Sequence, residues 1–262
     1  MIKILSGHTE KGGSTIAFIN LTNFFNKNGI ETIFYGPHSW HLDKCKSDLI
    51  QKAVLCEKDI VISHFLSLKQ RPNVRKIVLS SHEKWWFDFG TIFQYWDEAV
   101  LLHQMHRDYH FKYKGKFRII PNLKENLVPG DKTSIDKIAG IIGTIYPRKQ
   151  THVSIKRALA DNCEKIYLIG SIADSSYFSL HVAPLMKEHP NVVLAGYQDD
   201  KQRMYDRLGR VYHSSNGEVA CLVKDECYLT NTKFFGNEET ENEVSPLTNE
   251  EILELWKNCL EI

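Results

Sequence analysis

Short apolar runs alternate with helix-length segments along almost the whole chain, and this rhythm restricts the fold more than any other feature. The first runs are "IKILS", "ETIFYG", "DIVISH", "RKIVLSSH", "EAVLL" and "KFRIIPN". Between the first two, Ser14 to Lys27 reads as a helix ending at Gly29. Its apolar positions Ile16, Phe18, Ile19, Phe24 and Phe25 suit packing on a sheet, and Ser14 or Thr15 is placed to cap it. A further helix is expected around residues 43 to 54. A strand followed by a helix returns the chain to the same end of the sheet, so the next strand runs parallel to the last.

After "PNLKENLVPGDKTS", which reads as a linker, the rhythm restarts with "DKIAGIIG", a helix from Thr151 to Asp161, "KIYLIG", a helix from Asp174 to Glu188, and "NVVLAG". The expectation is an α/β chain of two Rossmann-like domains, 1–125 and 126–262, with the boundary between Leu123 and Lys132. A length of 262 residues with 42% hydrophobic and 25% charged residues supports two modest cores and argues against disorder. The run "IKIL" is too short for a signal peptide or for the roughly 20 apolar residues of a membrane span, so a cytoplasmic protein is expected. The six cysteines form no C-x-x-C pair and have no histidine at zinc spacing, which suggests reduced structural thiols and no metal site. The 33 Lys and Arg nearly balance the 32 Asp and Glu, but the front half is basic and the back half acidic. That asymmetry suits an anionic membrane surface, a phosphorylated acceptor or a nucleic acid, and equally a merely solvated surface.

In parallel α/β sheets ligands sit where strands turn into helices, and four such loops carry chemistry. "SGHTEKGGSTIAFINL" looks like a phosphate-binding loop, with Gly7, Gly12 and Ser14 in place, but Gly13 stands where the lysine of a P-loop belongs. Without that ammonium the loop is not an ATPase cradle; Gly12 and Gly13 instead let the backbone approach a ligand closely. "IIGTIYPRKQTHVSIKRAL" sets Arg148 and Lys149 just before a helix, either as a diphosphate site or as a solvated basic turn. "HSSNGEVACLVKDECYL" carries Glu218 and Glu226, which on one helix face the same way; they suit sugar hydroxyls and a ribose diol, or are an ordinary surface pair. "LSSHEKWWF" ends a strand on His82 and continues to Trp85 and Trp86, a sugar-binding wall or simple packing.

Taken in order, these pieces resemble the retaining GT-B glycosyltransferases of the group 1 type, glycosyltransferase family 4. The resemblance rests on "EKGGST", "IVLSSH", "IIPNLKEN", "IIGTIYPRKQTHVSIKRAL", "YLIGS", "NVVLAGYQDD" and the acidic pair Glu218 and Glu226. It implies two Rossmann-like domains facing a cleft, with the acceptor on the 1–125 side and a nucleoside diphosphate sugar on the 126–262 side. It implies transfer of a sugar to an acceptor hydroxyl with retention of anomeric configuration. Glu218 would contact the hydroxyls of the transferred sugar and His82 the sugar near the reaction centre, as catalytic residues. Glu226 would meet the ribose, Lys149 with Arg148 the diphosphate, and Gly12 and Gly13 would border the donor. No D-x-D triplet is present, only the adjacent Asp199 and Asp200, so no obligatory metal and no other cofactor is expected.

Two departures from the pattern stand out. Thr144 follows Gly143 where the family has Arg, and Val219, Ala220 and Cys221 replace Gly-Phe-Gly after Glu218. They keep open a non-catalytic GT-B-like protein that binds a nucleotide or glycan. A dehydrogenase ranks last, because no G-x-G-x-x-G follows a strand. The favoured acceptor is a glycan or other hydroxyl compound. The basic, aromatic stretch "HQMHRDYHFKYKGKFR" also suits peripheral contact with an anionic membrane, or, as a minority reading, nucleic acid.

Overall fold

The computed structural model describes residues 1–8, 12–82, 95–104, 115–240 and 244–262, with only the backbone of Glu239. Trp85 and Trp86, and most of the basic aromatic stretch, lie outside the described residues. The chain forms two compact units, Met1–Leu123 with Ser245–Ile262, and Lys124–Val244.

The first unit is built on seven parallel strands: β1 (Ile2–Ser6), β2 (Thr32–Gly36), β3 (Ser47–Leu49), β4 (Ile60–His64), β5 (Lys76–Ser80), β6 (Glu98–Leu101) and β7 (Phe117–Ile119). Their order is β3-β2-β1-β4-β5-β6-β7. β1, β4 and β5 are buried along their whole length, as expected of strands covered on both faces. Alternate side chains point to opposite faces. Ile2, Ile4, Phe34, Ile60, Ile62 and Val78 enter one core, while Leu5, Tyr35, Val61, Ile77 and Leu79 enter the other. Helix α1 (Gly13–Lys27) lays Phe18, Ile19, Leu21 and Phe25 on the first of these faces. Gly12, not Ser14 or Thr15, is its N-cap, because the helix starts one residue earlier than the sequence suggests.

The helix expected around 43 to 54 is absent. That segment instead forms β3, an edge strand whose Ser47, Asp48 and Leu49 pair with Phe34, Tyr35 and Gly36, followed by a single 3-10 turn, Ile50–Lys52. Pairing with β2 wins over local helix propensity, and Val54 is left 76% exposed.

The second unit has five parallel strands, β8 (Ile138–Ile142), β9 (Lys165–Ile169), β10 (Val192–Leu194), β11 (Arg210–Tyr212) and β12 (Lys233–Phe235), ordered β10-β9-β8-β11-β12. Helix α2 (Thr151–Ala160) packs Ile155 and Ala158 against Ala139, Ile141, Ile166 and Leu168. A π-helical stretch, Phe178–Val182, leads into α3 (Ala183–Glu188). The opposite face is covered by α4 (Lys201–Tyr205) and α5 (Leu222–Leu229), through Met204, Tyr205 and Cys227.

The chain then returns to the first unit. Helix α6 (Asn249–Leu260) buries Ile252, Leu253, Trp256, Cys259 and Leu260 in the same core as Ile4 and Phe25, with the Phe25 and Trp256 rings edge to face at 6.3 Å. The expected second domain, 126–262, is therefore corrected at its end: residues 245–262 complete the first core, because the apolar stripe of α6 has its partner there. The six cysteines are free thiols. Among the described residues no helix is long and apolar enough to cross a membrane, and no group of three His, Cys, Asp or Glu side chains is placed to hold a metal ion.

Candidate functional site

Both sheets reverse their strand order beside the first strand, between β1 and β4 and between β8 and β11. Just outside the carboxyl ends of such a strand pair is where ligands bind in this architecture. In the second unit, the loops leaving β8 and β11 place Lys149, His213 and Glu218 there.

The β8 loop is fixed by close backbone approach. Gly143 donates its N–H to Ile169 and Ile145 to Ser171, and Gly170 donates to Gly196. At Gly170, with φ +150°, a Cβ would lie 2.1 Å from the Gly143 oxygen, so only glycine allows the two loops to meet. Pro147 opens a 3-10 turn, Pro147–Lys149, which sets Lys149 just before α2. The Lys149 stem runs over Gly143, and its Nζ is paired with Glu218 Oε1. His213 Nε2 lies 3.1 Å from the same oxygen.

Glu218 and His213 are 11% and 4% exposed at their side chains. Burial is the largest influence on Glu218 and opposes its ionisation. The hydrogen bond from His213 and the charge of Lys149 together outweigh it, and hold the carboxyl well below the usual carboxylate range. An ionised carboxylate only accepts, so His213 Nε2 carries the proton it donates.

Glu218 does not share a helix with Glu226. It lies four residues ahead of Leu222, the first residue of α5, in the loop after β11, so the helical spacing that would align the two carboxylates does not apply. Glu226, on α5 and 5% exposed, has its own partners. Lys201 Nζ donates to Oε1 at 2.7 Å and Tyr205 Oη to Oε2 at 2.7 Å, while Lys201 also meets Glu125 at 2.5 Å. Burial pushes the Tyr205 phenol well up, reinforced by the Glu226 charge, so Tyr205 stays a donor. Burial works against the Lys201 ammonium, but Glu226 and Glu125 raise it further than burial lowers it. Arg148 is exposed and does not join Lys149: Nε meets Tyr146 Oη at 2.5 Å and Nη1 donates to the Gly217 carbonyl at 2.7 Å. It braces the loop that carries Glu218.

In the first unit, His82 follows β5 and packs on Phe18 of α1, ring centroids 4.7 Å apart, and beside His64 at 5.4 Å. It borders a recess with Ala17, Ser80, Asn122 and Trp256. Gly12 and Gly13 lie at the start of α1, and among the described residues a Cβ on Gly12 would come near only His8 Cε1, at 3.6 Å. Gly7 differs: a Cβ would lie 2.3 Å from the Phe65 carbonyl, so its place in the P-loop-like pattern is explained by packing. Lys149 and Glu218, both marked by the sequence, are in contact. No motif marks His213, Lys201 or Tyr205; His213 carries one signal, a histidine just past a strand, which it shares with His82.

No protein-family profile matches the chain, and no curated protein matches it in sequence. Solved structures do match in fold. Anabaena HepE in complex with UDP-glucose superimposes with a TM-score of 0.70 at 12% identity, over 99% of this chain and 89% of that one. A glycosyltransferase from Rickettsia africae gives 0.66 at 14% identity over 100% and 88%. WaaG, a glycosyltransferase involved in lipopolysaccharide biosynthesis, gives 0.65 at 11% identity over 100% and 91%. The fold is the α/β GT-B fold with two parallel sheets that these glycosyltransferases share.

Proposed function

We propose that the protein is a glycosyltransferase that moves a sugar from a nucleoside diphosphate sugar to an acceptor hydroxyl, with retention of anomeric configuration. The observation that carries this reading is the part-buried group of Lys149, Glu218 and His213 outside β8 and β11. A neighbour of the same fold holds UDP-glucose, which supports a nucleotide sugar as donor.

In this reading Glu218 accepts hydrogen bonds from the sugar. Lys149 has three N–H donors, so it serves Glu218 and a diphosphate together. As the bond from the anomeric carbon to phosphate breaks, negative charge gathers on the leaving diphosphate, and a fixed ammonium lowers that barrier by electrostatic preorganisation. Glu226 faces the ribose, held by Lys201 and Tyr205. His82 of the first unit and the glycines Gly12 and Gly13 serve the sugar and acceptor, a glycan or other hydroxyl compound. Lys149 supplies the countercharge, so turnover is expected to persist in EDTA.

The test is a thermal-shift screen of UDP-, GDP-, ADP- and dTDP-sugars, followed by release of nucleoside diphosphate. One donor should raise the melting temperature by several degrees, since a ligand at a hundred times its Kd adds about 2.7 kcal/mol. Lys149→Ala should abolish that shift. If no nucleotide sugar moves the transition, the reading is wrong. A second reading, a binder without turnover, draws support from Val219, Ala220 and Cys221 after Glu218, and from a Glu226 whose oxygens both have partners. Binding with no diphosphate released would select it.

A further inference from the structure

We propose that His213 is a positioning residue for Glu218: by donating Nε2–H to Oε1 beside Lys149, it turns the carboxylate so that Oε2 is the oxygen offered to the hydroxyls of a bound sugar. This rests on the functional reading above and assigns a residue that neither the motif spacing nor the fold comparison points to.

His213 is enclosed by its neighbours. Its backbone N–H donates to Phe235 at 3.0 Å, its ring lies 6.2 Å from that of Phe234, and it is 4% exposed. The loop from His213 to Glu218 is fixed along its length. Ser214 Oγ accepts from Ser154 at 3.0 Å and Arg157 at 3.2 Å, the Ser215 carbonyl accepts from Asn237 at 2.9 Å, and the Asn216 N–H donates to the Arg148 carbonyl at 2.9 Å. Arg148 closes the set on the Gly217 carbonyl.

The backbone of Glu218 therefore has little freedom, and its side chain is met by two donors on the same oxygen, from opposite loops. Among the described residues no hydrogen bond is made to Oε2. Two donors on one oxygen fix the plane of a carboxylate and leave the other as a pure acceptor, the character needed to read sugar hydroxyls. The groups facing Glu218 are Lys149, His213 and the buried Cys221, whose thiol is pushed far up by burial and so carries no charge. Lys149 alone supplies charge but a flexible stem; the imidazole supplies direction.

The experiment uses the full chain with His213→Ala, His213→Asn and His213→Gln, since the Gln amide reaches the place of Nε2 and the Asn amide does not. Glutamate labelled with 13C at the carboxyl follows the titration of Glu218, assigned with Glu218→Gln. The Glu218 midpoint should move to higher pH in the Ala and Asn variants and return toward wild type in the Gln variant. Calorimetry with UDP-glucose and with UDP should show UDP-glucose weakened roughly tenfold in Ala and Asn, the cost of a lost hydrogen bond to a charged group. UDP affinity should stay within about twofold, and Gln should recover most of the difference.

A folded Ala or Asn variant with an unmoved Glu218 titration and an unchanged UDP-glucose to UDP ratio overturns the assignment. Should the Ala variant fail to fold, the Asn and Gln pair decides. If wild type binds neither ligand, the UDP-sugar reading fails, and the titration alone decides the role of His213.

Discussion

Asp225 and Glu226 are adjacent on α5, yet the fold treats them differently. Glu226 has Lys201 and Tyr205 as donors, whereas Asp225 is pushed up to about 6, by burial first and then by the Glu226 charge, with Lys124 and Lys224 pulling the other way. Its place in the first turn of α5 favours the charged form but does not offset this. An acid whose folded pKa is raised from 3.8 contributes stability that is complete below the unfolded value and lost as pH rises through about 6. Asp225→Asn is therefore expected to stabilise the protein at pH 8, by on the order of 1–3 kcal/mol, and to give no gain near pH 3.5. Urea unfolding of both proteins across that range reads the difference directly. At this scale the sequence disclosed the chemical types: a cation just before a helix and an acid after a strand were visible as Lys149 and Glu218. It did not disclose partners, because the pairing of Glu218 with His213 and of Glu226 with Lys201 depends on which loops meet.

Regular elements were legible where two periodicities agreed. The apolar spacing of α1 and the short, mostly apolar runs of β1, β4 and β5 match the faces they bury. The segment 43 to 54 failed because three residues of edge strand leave almost no periodic trace. Helix α6 has local signals in plain view. Thr248 accepts the Glu251 N–H at 3.2 Å, and the Glu251 carboxylate accepts the Thr248 N–H at 2.7 Å, a complete capping box. Thr248→Ala is expected to cost about 1 kcal/mol, read as a lower urea midpoint with an unchanged slope. A drop well under half of that would mean that core contacts, not the cap, fix the start of this helix.

For the molecule as a whole, the C-terminal segment decides how the first unit is completed. Trp256, 4% exposed against Phe25, closes one face of the seven-stranded sheet. Trp256→Ala should destabilise the first unit by about 3–5 kcal/mol. A chain ended at Val244 should lose the first unit's unfolding transition while Lys124–Val244 keeps its own, by calorimetry. An unchanged first transition would show that this core is complete without α6. The sequence by itself determined the α/β class, the two parallel sheets and the restart after the linker, since strand and helix periodicities are local and additive along the chain. Only tertiary structure decided that α6 returns to the first sheet and that Lys149 and His213 converge on Glu218. Those outcomes depend on burying an apolar stripe and pairing buried charges between segments far apart in the chain, and no local pattern encodes which partner is found.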